Sequence, residues 1–259
     1  EVAGVVVSAP EGSEWKKGDR IASKITCGGF AELCEVRPDM AFRIPENMSF
    51  SKAAALPVAY ITSMVALFDS TQVKPEHTVL VHAAAGGVGL AAVEIAKAIG
   101  ARVIATAGSE EKLNLAREHG ADLGINYRDE NWYMAVKEAT GGKGVNVIYD
   151  PVGGDIAINS LRCIARDGVL LIVGFASGKI AELPTNRLLL KRASAKGVYW
   201  NHDHDGEMLK EISHELLGML EKGQINPVVN DNYELEDLPR ALEELGNRSS
   251  TGKIIIKVR

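Results

Sequence analysis

Hydrophobic and polar positions along the chain follow two different rhythms. Between Thr78 and Gly174, short apolar runs alternate with stretches of helical period. The runs are Val79–Ala83, Arg102–Thr106, Leu123–Asn126, Val145–Tyr149 and Gly168–Gly174; between them lie Gly89–Ile99, Glu110–Glu118, Trp132–Thr140 and Asp155–Cys163. A strand that reads as one unbroken apolar run, rather than as an alternation, is covered on both faces. A helix after each such strand predicts an α/β fold with a doubly wound parallel sheet. Gly100 stands just past the first of these helices, where a left-handed residue ends a helix.

Outside that region the rhythm changes. Val2–Val7, Asp19–Ala22 and Phe30–Val36 read as short strands, separated by the turn signals Lys17-Gly18-Asp19-Arg20 and Pro38-Asp39. Ser49 is placed to cap a helix from Phe50, which Pro57 interrupts, and residues 59–72 read as a largely buried helix. Near the other end, Gly206–Lys222 reads as a long helix whose Met208, Leu209, Ile212, Leu216, Leu217 and Leu220 form an apolar stripe at helical spacing. Val228–Val229, Tyr233 and Ile254–Val258 are strand-like, and Asp237–Leu245 is helical. β-rich parts at both chain ends therefore enclose the α/β region, with boundaries expected at 1–50, 51–225 and 226–259.

Composition narrows the function classes. The 259 residues are enough for one or two domains. With 29 Lys+Arg against 34 Asp+Glu, a net charge of −5 leaves no basic footprint for nucleic acid or an anionic membrane. The apolar stretch Ala53–Phe68 is broken by Pro57, Thr62 and Ser63, so it reads as core and not as a membrane span. Cys27, Cys34 and Cys163 show no paired spacing. Neither a disulfide framework nor a metal site is expected, and a reducing compartment follows. The expected location is cytoplasmic, or mitochondrial if the natural start lies upstream; the chain opens without Met, inside a strand pattern. His202-Asp203-His204-Asp205 is dense in metal-type donors but reads as a solvated loop before the helix at Gly206.

The chemistry concentrates after the run Val79–Ala83. Ala84-Ala85-Gly86-Gly87-Val88-Gly89 matches the dinucleotide pattern G-x-G-x-x-G, with alanine in place of the first glycine. Gly86 would let the backbone approach a pyrophosphate, and Gly89 would let the helix pack on the strand. The helix start offers free N–H groups to phosphate. An NAD site usually carries an acid about 20 residues further on, at the end of the second strand. Here that place holds Thr106-Ala107-Gly108-Ser109. Ser109 and Lys112 suit a 2′-phosphate instead, and Tyr127 and Arg128 follow the third strand beside the same adenosine end. Ser109 also reads as a plain N-cap. The fourth and fifth strands end in Asp150-Pro151-Val152-Gly153-Gly154 and Val173-Gly174-Phe175-Ala176, small residues against which a nicotinamide can lie.

These stretches, together with Gly4-Val5-Val6, Gly28-Gly29-Phe30-Ala31-Glu32, Ala53–Val58, the run from Gly174 to Trp200 and Thr251-Gly252-Lys253, resemble the medium-chain dehydrogenase/reductase superfamily. The resemblance is to its zinc-free quinone oxidoreductase (zeta-crystallin) branch and covers essentially the whole chain. It implies an NADPH-binding Rossmann domain inserted into a GroES-like substrate domain, here partial, because relatives begin several dozen residues earlier. It implies cofactor contacts at Thr62, Ala85, Gly86, Gly87, Val88, Ser109, Lys112, Tyr127, Val152, Gly153, Gly174, Phe175 and Ala176, and more weakly at Asn186 and Leu188. It implies a homodimer joined through the last Rossmann strand, near Ala195–Tyr199.

The expected activity is hydride transfer from NADPH to a quinone or α,β-unsaturated carbonyl, without zinc. Tyr60 reads as a buried core tyrosine rather than a proton donor, and no catalytic residue is named. Two other readings stand beside this one: an NADPH-binding protein without catalysis, and an RNA-binding crystallin-like protein, which the acidic balance disfavours.

Overall fold

The computed structural model describes residues 1–258. The chain divides into two compact units, 1–61 with the stretch from Trp200 onward, and 62–199. The divisions therefore fall after residues 61 and 199, not near 50 and 225.

The first unit opens with β1 (Val2–Val5), β2 (Arg20–Ser23) and β3 (Ala41–Arg43), an antiparallel sheet in that order. Ala22, Ile44 and Ala53 form its small core, with Phe42, Met48 and Phe50 packed against them. The strand expected over Phe30–Val36 is absent. No described strand pairs with this segment, and Phe30 and Leu33 are 55% and 69% exposed. A short apolar-rich segment makes no strand unless its amides find a partner ladder.

Ser49 caps α1 (Phe50–Ala53), its hydroxyl accepting from the Lys52 amide. Pro57 does not break the helical run. The backbone widens to a π-turn at Leu56–Tyr60, continues as α2 (Ile61–Met64) and widens again over Val65–Ser70. A proline offers no N–H to its own turn, and the Glu1 carboxylate accepts from the next two amides, Val58 at 2.8 Å and Ala59 at 3.3 Å. The run Phe50–Ser70 is long and apolar enough to cross a membrane, yet it is 67% buried in the protein. Tyr60, on this run, is buried as expected.

The second unit alternates regularly: β4 (Thr78–Val81), α3 (Gly87–Ile99), β5 (Arg102–Ala107), α4 (Glu110–Glu118), β6 (Leu123–Asn126), α5 (Trp132–Ala139), β7 (Val145–Asp150), α6 (Gly154–Ser160), β8 (Ile164–Ile172), α7 (Thr185–Lys191) and β9 (Ser194–Gly197). The sheet order is β6-β5-β4-β7-β8-β9 and every pairing is parallel. Ile104, Leu80, Ile148 and Leu170 occupy matched register on four neighbouring strands, and all are fully buried. This row is the centre of the core. β8 starts four residues earlier than its apolar run, with a register shift between its pairings to Val145 and Val147.

The chain then returns to the first unit with α8 (His202–Glu221), β10 (Val229–Glu234), α9 (Leu238–Gly246) and β11 (Lys253–Lys257), where β10 and β11 pair in parallel. The histidine–aspartate run is not a loop. It is the first turn of α8, capped by the Asn201 side chain, which accepts from the His204 amide at 3.0 Å. Asp203 and Asp205 lie at the positive end of the helix dipole, and Asp203 also meets Arg37 at 2.8 Å. Among the described residues, no group of three or more His, Cys, Asp or Glu side chains is placed to hold a metal ion.

Candidate dinucleotide-binding site

Because the central strands are all parallel, β4 to β8 end at one edge of the sheet, where open α/β sheets bind their ligands. The loops leaving that edge carry most of the expected site residues: 82–86, 108–109, 127–128, 151–153 and 173–176.

The turn after β4 is built around Ala83, a non-glycine residue at φ 47°. Its carbonyl accepts from the Gly86 amide at 2.9 Å, while the buried Ala84 donates its own N–H to Thr106. The left-handed position has moved to residue 83, so the first place of the pattern tolerates alanine. The two following glycines differ. A methyl group on Gly89 would lie 2.3 Å from the Ala83 carbonyl oxygen, so close packing inside the protein forbids it. Gly86 is extended (φ −82°, ψ 170°), and a methyl there would meet nothing nearer than 3.4 Å. The protein itself does not require a glycine at 86. The amides of Gly87, Val88 and Gly89, the first turn of α3, have no acceptor among the described residues. A helix start with such orphan donors attracts an anion.

Two buried hydrogen-bond chains hold this turn. The Ser63 hydroxyl donates to the Val88 carbonyl at 3.1 Å, and the Tyr149 hydroxyl lies 2.9 Å from Ser63. With the Ser63 proton engaged, Tyr149 is the donor to Ser63. Thr62, half-buried, thus belongs to the helical turn docked on the start of α3. Beneath the loop, fully buried His82 sits between Ser160 and Thr106, each at 2.7 Å. Ser160 donates to the Ile156 carbonyl at 2.6 Å, so it accepts from His82 Nε2–H, and Thr106 donates to Nδ1. Burial holds this imidazole neutral, its pKa lowered to about 3.

At the adenosine end, β5 runs out into Gly108 with no carboxylate. Ser109 caps α4, accepting from the Lys112 amide at 3.4 Å, which is the plain role foreseen for it. Lys112 is half-buried. The Tyr127 amide donates to Ala107 at 3.1 Å, and its ring is half-buried against the cluster around Trp132.

The last two loops are laced together. The Asp150 carboxylate accepts from the amides of Val152 and Gly153 at 2.8 and 3.1 Å, and burial pushes its pKa up. Ala176 and Ser177 donate to the carbonyls of Pro151 and Val152. Gly153, at φ 73°, leaves room for the Phe175 ring, 3.0 Å from where a side chain would begin. Val152, Gly153, Gly174, Phe175 and Ala176 therefore form one wall. Among the described residues no contact brings Asn186 or Leu188 to this edge: Asn186 is exposed on α7 and Leu188 packs on the hydrophobic cluster. The His82–Thr106–Ser160 chain was not legible from sequence, since each of its members looks like an ordinary strand or helix residue.

The profile of the zinc-binding dehydrogenase family matches residues 87–217. Quinone oxidoreductase-like protein 2 of Rattus norvegicus is 40% identical over 263 residues, covering 100% of this chain and 75% of its own. This chain belongs to the quinone oxidoreductase branch of the medium-chain dehydrogenase/reductase superfamily.

Among solved members of that superfamily, the Escherichia coli quinone oxidoreductase complexed with NADPH superposes with a TM-score of 0.90 at 34% identity, covering 98% of this chain and 80% of that one. An NAD-dependent alcohol dehydrogenase superposes with 0.89 at 30% identity, covering 99% and 81%. The superfamily fold thus occurs with both nicotinamide cofactors, and the adenosine end has to discriminate. For zinc, the donor set here does not fit. Cys163 is buried, its thiol donating to the Ser160 carbonyl and its pKa pushed up to about 12, while Cys27 and Cys34 are exposed and stand in no donor cluster.

Proposed function

We propose that this chain is an NADPH-dependent oxidoreductase that delivers hydride to a quinone or an α,β-unsaturated carbonyl without zinc. The observation that carries the reading is the fingerprint turn: three unsatisfied amides at Gly87–Gly89, beside a Gly86 whose missing side chain makes room for nothing in the protein. The residues fit a pyrophosphate there. The non-acidic end of β5, with Ser109 and Lys112, supports a 2′-phosphate in place of a free ribose hydroxyl. Bound reduced nicotinamide supplies the hydride. The chain's own part is to hold the ring against the Val152–Gly153 and Gly174–Ala176 wall, which the Asp150 turn keeps in place, and to fix its orientation. A reduced quinone or enolate takes its proton from solvent.

A dimer through β9 belongs to the same proposal. This last strand of the sheet is exposed along its length, and Leu189, Leu190 and Tyr199 nearby are 81%, 76% and 82% exposed. An open sheet edge flanked by apolar side chains favours pairing with a second copy. The test of the activity is NADPH absorbance followed with 9,10-phenanthrenequinone. Consumption of NADPH supports the reading, cofactor binding without consumption supports a non-catalytic binding protein, and neither event refutes both.

A further inference from the structure

Gly108 and Arg128 form a pairing that reaches beyond the residues already assigned to the adenosine end. The Arg128 guanidinium fills the space beside Gly108: Nε is 2.9 Å, and Cζ and Nη2 are each 3.3 Å, from where a side chain on residue 108 would begin. Any side chain at 108 would push the guanidinium off this seat. The seat is the place at the end of β5 where an NAD site carries its carboxylate. The chain thus exchanges a negative group for a cation at the position that reads the ribose 2′ substituent.

The guanidinium is also uncommitted. Arg128 is exposed, and its side chain makes no ion pair or hydrogen bond among the described residues; only its backbone amide is engaged, with Asn126. Arg117 provides the contrast. It lies on Gly124 in a similar way, but its head group is spent on Glu110 and Asn114 at 2.5 and 2.6 Å. A planar guanidinium held in position with its donors unspent matches a phosphomonoester, which it can grip with two parallel hydrogen bonds.

We propose that Arg128, seated on Gly108, is a specificity-determining residue for NADPH over NADH, gripping the 2′-phosphate opposite Lys112. This rests on the NADPH reading above, so the experiment separates the two. Binding of 2′,5′-ADP and of 5′-AMP is measured by titration calorimetry for the wild type, Arg128→Ala, Arg128→Lys and Gly108→Ala. The wild type is expected to prefer 2′,5′-ADP. Arg128→Ala should weaken 2′,5′-ADP by about tenfold or more, about 1.4 kcal/mol, and leave 5′-AMP within about twofold. Arg128→Lys should recover only part of the loss, because an ammonium is a point charge without the fork. Gly108→Ala should reproduce a severalfold loss with the charge still present. A preference for 2′,5′-ADP that survives in Arg128→Ala overturns this assignment and leaves the NADPH reading standing. Equal affinity of the wild type for both nucleotides overturns the two together. Since the Arg128 head group holds no partner, the variants should melt with the wild type, and a lowered melting temperature in Arg128→Ala would assign it a structural role instead.

Discussion

Two alanine substitutions, three residues apart in one turn, should have opposite consequences. In Gly89→Ala the new methyl falls 2.3 Å from the Ala83 carbonyl oxygen, with the Ala83 carbonyl carbon and the Ala84 Cα each at 2.9 Å. All three are backbone atoms, so relief requires moving α3 against β4. Overpacking of this kind costs about 1–3 kcal/mol and sometimes more, or roughly 3–10 °C in melting temperature for a protein of this size. In Gly86→Ala the methyl meets only ordinary contact at 3.4 Å in a conformation open to any residue. The fold should lose under ~1 kcal/mol, the usual cost of alanine at a helix N-cap. The methyl does occupy the space through which a diphosphate approaches the Gly87–Gly89 amides. Hydrogen bonds to a charged group contribute about 1.5–3 kcal/mol each. Losing one of them weakens NADPH by about 10-fold to 150-fold. Calorimetric melting of the free proteins, with NADPH titration of both, provides the check. Unchanged NADPH affinity in Gly86→Ala would refute the idea that this glycine makes room for a ligand, and an unchanged melting temperature in Gly89→Ala would refute the packing argument.

Three further outcomes follow from the same geometry. Lys112→Ala should weaken NADPH by about tenfold while NADH changes within about twofold, measured by fluorescence titration; equal losses would make Lys112 structural. His82 is neutral in the fold with its pKa lowered to about 3, against about 6.5 unfolded. The unfolded chain therefore takes up the proton first, so stability present above pH 6.5 is lost as pH falls towards 3. Between pH 7 and 5 this amounts to about 2 kcal/mol, and urea unfolding of His82→Asn should lack that share of the loss. In β9, Val198 donates to Ile172 across the β8 pairing, so by alternation the amides of Ala195 and Gly197 face outward. Ala195→Pro removes one outward donor from the sheet edge and should abolish the proposed pairing of two copies, read as a fall in mass by light scattering against the wild type, with NADPH binding kept; an unchanged mass would refute pairing through this edge.

Much of the dinucleotide-binding unit can be read from local pattern alone. Five buried strands, the helices between them and the cap at Ser109 all follow from interactions within a few residues, or from apolar runs that must be covered on both faces. The glycines of 84–89 and the lack of an acid at 106–109 point to phosphate chemistry for the same reason, because a backbone turn and a helix start are local objects. Long-range partners decided the rest. Phe30–Val36 reads as a short strand but has no described ladder to join, whereas Pro57 sits inside a helical run whose next amides are met by Glu1, over fifty residues away. The histidine–aspartate run became a helix start through the Asn201 cap, with Asp203 also meeting Arg37 from the other end of the chain. Which glycine serves packing and which leaves space for a ligand depends on atoms that a motif does not contain. The seat of Arg128 on Gly108 exists only because β5 and β6 lie side by side, bringing residues twenty apart in sequence within contact distance.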